Sequence, residues 1–319
     1  MMELRYNPLT DEWIIVSAET QKRPVQPSKN QCPICPGGVE FPDTVYDLVA
    51  FENRFPSLKK EPPKVDDKGY GPFRKKESYG VCEVVVYTSE HDSSFPKMPL
   101  LQIEKLVEMW VDRTFELSKN DFVKSVFIFE NRGKEVGASL PHPHGQIYAF
   151  PFIPKRIETK LKAMQTWYIE NKKCVICEVL GSEKKERIVA ETTHFVALVP
   201  FYARFPYEVH VYPKRHISNL LEFHDEEKKD FARILKIVTM KYDKLFEQEF
   251  PYMMMFFQSP FNTEDFSDFF HFHVEFNPPK RDKDKLKWMA SVETGTWTFI
   301  NPVLPEEAAK MLREVEVDF

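Results

Sequence analysis

The chain has 319 residues with 44 basic and 49 acidic side chains, a formal charge of −5. That length accommodates about two ordinary domains, while 42% apolar and 14% aromatic residues supply a sizeable core, and only 10 glycines exclude a fibrous or low-complexity protein. Mild acidity removes the electrostatic basis for generic nucleic-acid binding, and no apolar run approaches the ~20 residues of a membrane span, so neither partner is expected.

In chain order, residues 1–10 are polar and lack the apolar core of a secretory leader, which makes the cytoplasm the expected location. The pair Cys32-Pro-Ile-Cys35 sits among proline-rich loops at 24–42, and a second polar loop covers 59–80. Residues 81–88 are predicted as a strand, 100–117 as a helix from the spacing of their apolar positions, and 122–130 as a strand that delivers the chain into Asn131-Arg-Gly133. A strand at 146–150 and a helix at 156–170 lead to a second pair, Cys174-Val-Ile-Cys177. Strands within 188–199 and at 207–212, a helix at about 226–247 and a strand at 251–257 precede His271-Phe-His273. Runs of strands joined by one helix per half predict an α+β fold of mostly antiparallel sheets with helices packed on them, divided into domains at 1–160 and 161–319.

The halves repeat each other. Glu52-Asn-Arg-Phe-Pro56 echoes Tyr202-Ala-Arg-Phe-Pro206, and Pro141-His-Pro-His-Gly-Gln146 answers Phe270-His-Phe-His-Val-Glu275. Five cysteines in so long a chain do not suggest a disulfide framework, and a redox pair has no reason to occur twice with further ligands behind each copy. Each half instead offers four metal ligands in one order: Cys32, Cys35, His91 and His142, then Cys174, Cys177, His216 and His271. Two thiolates with two imidazoles suit tetrahedral zinc, although the second site could hold another metal. Any one of these histidines alone reads better as an ordinary surface or core residue; the parallel recurrence of all four ligands reverses that. Cys82, inside a strand pattern, reads as core packing.

His142, His144 and Gln146 alternate, so an extended segment turns them to one side. Upstream, residues 131–139 form a loop in which Gly133, Gly137 and the Ser139 hydroxyl allow close approach of a phosphate. A neutral imidazole is a nucleophile toward phosphorus, which makes His144 the expected nucleophile, with a phosphoramidate intermediate. Gln146 can hydrogen-bond but cannot supply a proton, which favours transfer of a nucleotidyl group between phosphates. The competing reading, strand histidines that only bind metal, is opposed by the glycine–serine loop beside them. The second copy has no such loop and reads as structural.

Asn131-Arg-Gly, Gly137-Ala-Ser and His142-Pro-His-Gly-Gln146 together resemble the active-site signature of the galactose-1-phosphate uridylyltransferase family, a branch of the histidine-triad superfamily. The resemblance covers nearly the whole chain. It implies two tandem histidine-triad-like domains and a ping-pong exchange of UMP between UDP-glucose and galactose 1-phosphate through uridylylated His144, with Gln146 bonding the phosphoryl group. It also makes Cys32, Cys35, His91 and His142 a zinc site, Asn131, Gly137 and Ser139 phosphate contacts, Phe51, Asn53 and Phe55 the nucleoside segment, and Arg23 a phosphate-side arginine. Lys287 and Glu293 resemble the hexose-phosphate contacts, which in the family often reach in from the other subunit of a homodimer.

The chain departs from the family in four places. Arg54 stands where typical bacterial members have an acidic residue, and the sequence after Glu293 differs on the sugar side. Lys160 and Phe257 replace two ligands of those members' second metal site. The second Cys-x-x-Cys set instead resembles the two-zinc ADP-glucose phosphorylase branch. Three readings therefore stand: uridylyl transfer through His144, an ADP-sugar phosphorylase or adenylyltransferase using the same histidine, and a non-catalytic nucleotide-binding zinc protein.

Overall fold

The computed structural model describes residues 2–22, 27–183 and 185–319. The chain opens on a hairpin, β1 (Met2–Asn7) and β2 (Glu12–Ser17), whose register sets Tyr6 opposite Trp13. Then follow β3 (Val49–Glu52), β4 (Gly69–Tyr70), β5 (Phe73–Glu77), β6 (Val81–Val86), α1 (Leu100–Ser118), β7 (Ser125–Arg132) and β8 (His144–Phe150). Helices α2 (Lys155–Asn171) and α3 (Val175–Ser182) connect to β9 (Ile188–Glu191), β10 (Phe195–Leu198) and β11 (Val209–Pro213). The chain ends with α4 (Asp225–Leu245), β12 (Tyr252–Phe257), β13 (His273–Asn277), the short pair β14 (Lys280–Asp282) and β15 (Lys285–Leu286), α5 (Ser291–Thr296) and α6 (Pro305–Glu314).

Nine strands form one antiparallel sheet in the order β3-β6-β8-β7-β12-β13-β11-β10-β9. The order reads nearly the same from both ends: β3-β6-β8-β7 is mirrored by β10-β11-β13-β12, with β9 added at one edge. The halves therefore join edge to edge through β7 and β12, where Asn131 faces Met253 and Glu130 faces Met254. This junction removes an exposed strand edge from each half. A smaller sheet, β2-β1-β5-β4, packs through Leu4, Trp13 and Ile15 against Tyr148 and Phe150 of β8.

Helices α1 and α4 cover one face of the nine-stranded sheet. In α1 the buried residues Ile103, Leu106, Val107, Trp110, Thr114 and Leu117 recur at three- and four-residue spacing, the stripe that faces a sheet. Trp110 meets Phe256 edge-on at 4.8 Å, and the same core takes Val85, Ile128, Ile147 and Val274 from the sheet. Full burial of each large side chain contributes about 1.5–3 kcal/mol. On the opposite face, α2 and α3 cover the second half through Ile157, Leu161, Met164 and Ile176. Over the first half that face carries the Cys32–Cys35 loop, packed through Ile34, Phe41 and Tyr46 onto Val84 and Val86. This asymmetry leaves the His144 side of β8 accessible.

The observed fold is α+β, as expected, and several boundaries move. The strand expected at 122–130 runs Ser125–Arg132, because Val123 N–H closes a turn onto the Asn120 carbonyl and Phe122 packs on Tyr79 instead. The strand expected from 146 begins at His144, where pairing with Val86 starts. Residue 160 lies inside α2, which ends on Lys172 in the left-handed conformation and so turns Cys174 to the start of α3.

Candidate active site and metal centres

The first cysteine pair is held in a tight knuckle in which Gly38 N–H donates to Cys35 O and Glu40 N–H to Pro33 O, at 2.8 and 3.0 Å. Cys35 Sγ lies 3.2 Å from His91 Nδ1 and 3.3 Å from His142 Nδ1, with Cys32 Sγ 3.7 Å from His142 Nδ1. The four donor atoms all lie within 4.8 Å of one another. His142 Nε2–H donates to the Thr88 carbonyl at 2.7 Å, which fixes the tautomer that leaves Nδ1 unprotonated toward the thiols. That donor set fits a tetrahedral cation.

The second cluster repeats this. Cys177 Sγ is 3.5 Å from both His216 Nδ1 and His271 Nδ1, and Cys174 Sγ is 3.7 Å from His271 Nδ1. Here both Nε2–H groups donate to carbonyls, His216 to Ser267 and His271 to Pro213. The structure therefore brings together both predicted ligand sets in full. Cys82, buried with Leu4 and Leu58, packs in the core as expected.

The expectation that His142, His144 and Gln146 converge on one spot is met only in part. His142 precedes β8 and turns its ring to the thiols, while its carbonyl accepts from His144 Nδ1–H at 2.7 Å. That bond leaves His144 Nε2 as an unprotonated nitrogen, and burial holds the imidazole below its ordinary pKa, so the neutral form prevails. His144 and Gln146 line a cavity of about 450 Å³ with Asn131, Gly137, Ala138 and Ser139, the loop expected to receive a phosphate. A second cavity, about 350 Å³, also touches His144, Gln146 and Ser139, and it is walled by Phe51, Asn53 and Phe55. Asn53 Nδ2–H donates to Gln146 Oε1 at 3.3 Å, which commits that oxygen to Asn53 and leaves the Gln146 N–H groups outside this contact.

Gly145 separates the two reactive side chains, and a Cβ there would lie 2.1 Å from the Tyr87 hydroxyl. Tyr87 passes beneath β8 on the helix-covered side, beside Glu130, whose carboxyl is pushed up to about 7 by burial.

The second-half copy has the same backbone geometry and the opposite accessibility. His273 Nδ1–H donates to the His271 carbonyl at 2.9 Å, as His144 does to His142. Its Nε2, however, accepts from Lys160 Nζ at 2.6 Å, and its ring stacks on Phe257 at 5.1 Å. Glu275, in the place of Gln146, is 1% exposed and is bonded by Arg156, Lys160 and Arg204. Glu208, His210 and Glu275 lie close enough to form a third ligand group, yet His210 Nε2–H already donates to Glu208 and Tyr212 O–H donates to His210 Nδ1, each at 2.7 Å. The group is saturated internally, with Lys160, Arg156 and Arg204 as its cations.

Arg23 lies outside the described residues. Lys287 and Glu293 form an ion pair with each other and line none of the three cavities that touch His144. Sequence reasoning missed Thr20 and Gln21 on the 450 Å³ cavity and Glu40 on the 350 Å³ cavity. It also missed the Glu208–His210–Tyr212 alternation, a row of polar side chains on a fully buried strand that was visible as a pattern.

Family comparison agrees with the site. Residues 1–154 match the family described as galactose-1-phosphate uridyl transferase, N-terminal domain, and residues 161–316 match its C-terminal domain. A galactose-1-phosphate uridylyltransferase from Thermotoga maritima is 77% identical over 318 residues, all of both chains. A solved uridylyltransferase superposes with a TM-score of 0.89 at 34% identity, covering 98% of this chain and 97% of that one. An ADP-glucose phosphorylase from Arabidopsis thaliana is 28% identical over 99% of this chain and 93% of its own length. A two-domain match along almost the entire sequence, with the histidine, glutamine and glycine–serine loop assembled in one place, means that this chain belongs to the galactose-1-phosphate uridylyltransferase family.

Proposed function

We propose that this protein is a uridylyltransferase that exchanges UMP between UDP-glucose and galactose 1-phosphate through a uridylyl-histidine. The observation that carries this reading is the His144 Nδ1–H bond to the His142 carbonyl, which frees Nε2 beside Gln146, Ser139 and Asn131. The Nε2 lone pair attacks the α-phosphorus of UDP-glucose, an N–P bond forms, the bridging P–O bond breaks, and glucose 1-phosphate leaves with the electron pair. A phosphate oxygen of galactose 1-phosphate then attacks the same phosphorus, and the P–N bond returns its electrons to the imidazole. Both leaving groups are weakly basic at the reacting atom, so neither step needs a proton from position 146. Gln146 N–H, the Ser139 hydroxyl and Asn131 hold the phosphate oxygens, with Gly137 giving the loop its close approach, as charge builds on them.

Phe51, Asn53 and Phe55 take the nucleoside, and Arg23 the phosphate side. Both Cys–His clusters hold zinc, in structural roles that pin the loops to the sheet. The chain divides into units at 1–160 and 161–319, works in the cytoplasm, and pairs as a homodimer in which Lys287 and Glu293 serve the hexose phosphate of the partner's site. Mass analysis after incubation with UDP-glucose tests the core of this reading: a uridylyl adduct on the His144 peptide supports it. A His144→Gly protein that still makes UDP-galactose at a comparable rate refutes it.

The second Cys–His cluster favours one alternative, an adenylyl transfer through the same histidine, because the chain resembles the two-zinc branch in that feature. Replacing UDP-glucose by ADP-glucose in the same mass experiment decides between them.

A further inference from the structure

Glu40 is carried by the Cys32–Cys35 knuckle, which fixes its backbone, and its side chain lines the 350 Å³ cavity with Phe51, Asn53 and Phe55. Among the described residues on that cavity it is the one carboxylate. Arg54 Nη1–H donates to its Oε1 at 3.4 Å, and among the described residues no hydrogen bond holds Oε2. Asn53, another polar residue of its lining, is committed at both ends: its Nδ2–H goes to Gln146, and its Oδ1 accepts from Phe55 N–H at 2.9 Å. The Glu40 side chain is 21% exposed, so a ligand reaches it and most bulk water does not.

A nucleotide whose α-phosphorus lies at His144 must place its ribose between the phosphate cavity and the aromatic walls of this pocket. The ribose presents two adjacent hydroxyl donors, and one ionised carboxylate accepts both with its two oxygens. An acidic side chain bonded to ribose hydroxyls is a recurrent solution in nucleotide sites. Arg54, itself half exposed, adds little stability through so long a contact and instead orients the carboxylate.

We propose that Glu40 is a specificity-determining residue that accepts the ribose hydroxyls of the bound nucleotide, with Arg54 steadying its carboxylate. The proposal rests on the nucleotidyl-transfer reading of this cavity. It makes the enzyme selective for ribonucleotides over deoxyribonucleotides.

Calorimetric titration of the metal-loaded protein with UDP and with 2′-deoxy-UDP tests it, since neither probe is a substrate of the exchange. Wild type is expected to bind UDP about tenfold or more tightly than its deoxy analogue, and Glu40→Gln or Glu40→Ala to reduce that ratio to about threefold or less. Equal affinities in wild type overturn the proposal without recourse to any variant, as does an undiminished ratio in both variants. Labelling of His144 by UDP-glucose in the same wild-type preparation separates the two ideas. A labelled enzyme without ribose discrimination refutes the role of Glu40 alone, and an enzyme labelled by neither UDP-glucose nor ADP-glucose refutes the transfer reading.

Discussion

Lys160 donates to Nε2 of His273 at 2.6 Å, and so occupies in the second half the nitrogen that His144 keeps open in the first. The duplicated strands thus supply two histidines with one backbone geometry, and a lysine on α2 covers one of them. Burial pushes His273 down to about 3, with Lys160 adding to the effect, so this imidazole is neutral and accepts the ammonium proton.

Lys160→Met is therefore expected to destabilise the fold while leaving turnover per folded molecule unchanged. The methionine replaces the ammonium that lies 4.0 Å from the Phe257 ring centroid and removes a cation from buried Glu275, which retains Arg156 and Arg204. A loss of about 1–3 kcal/mol in urea unfolding is expected. A variant as stable as wild type would show that the two arginines already neutralise Glu275.

Gly145 admits no side chain. A Cβ there would meet the Tyr87 hydroxyl at 2.1 Å and the Phe129 carbonyl at 3.0 Å, and Tyr87 is itself wedged edge-on against Phe95 and Trp110. Gly145→Ala is expected to cost about 1–3 kcal/mol through overpacking. The shift of β8 between His144 and Gln146 should lower kcat by about tenfold to a hundredfold. Adding Tyr87→Phe removes the nearest atom and should restore part of both losses. No recovery in the double variant would place the obstruction at the Phe129 carbonyl or at the ring Cζ of residue 87, each 3.0 Å from the added Cβ.

The ligand order and the alternation of His144 with Gln146 were legible in the sequence because each depends on short spacing or on repetition between halves. The pairing of β7 with β12 was not, because it joins Asn131 to Met253 across more than a hundred residues and no local periodicity encodes such a partner. The closure of the second site was legible only in part: the resemblance marks Lys160 and Phe257 as replacing metal ligands, but the contact of Lys160 with His273 Nε2 appears only once α2 is laid over β13. Helix α3 escaped notice because Val175-Ile-Cys is β-branched, and the helix is imposed by Cys174 and Cys177 facing one cluster. Glu40 lay in a proline- and glycine-rich loop that gave no sign of the cavity it borders.

Glu130 links stability to pH. It is 5% exposed, faces Tyr87 and Tyr252 across the core, and has its carboxyl raised to about 7 by burial, against the opposing pull of Arg132. The unfolded chain releases this proton near the ordinary value of about 4.3. Between that pH and about 7 the folded state therefore binds more protons than the unfolded one, and stability falls as pH rises, levelling off above 7. The loss attributable to Glu130 should be about 1–3 kcal/mol between pH 5 and pH 8, read as the difference between wild type and Glu130→Gln in urea unfolding. Identical pH dependence in the two proteins would mean that Glu130 is ionised in the native core.

The two Cys–His clusters should separate in their effects on nucleotide binding. Pro33, Ile34, Val39 and Glu40 of the first knuckle are themselves wall residues of the nucleoside cavity, whereas the second cluster ties α3 to the far half through Phe266, Phe269 and Phe270. Cys32→Ser leaves one thiol and two imidazoles, should lose one metal per chain by native mass measurement, and should weaken UDP binding about tenfold or more as the wall loosens. Cys174→Ser should lose the other metal and lower the melting temperature, with UDP affinity unchanged within about twofold. If Cys174→Ser weakened UDP as strongly as Cys32→Ser, the shared sheet would be transmitting the loss from β13 to β8 across the β12–β7 junction, and the first knuckle would have no special hold on the nucleoside.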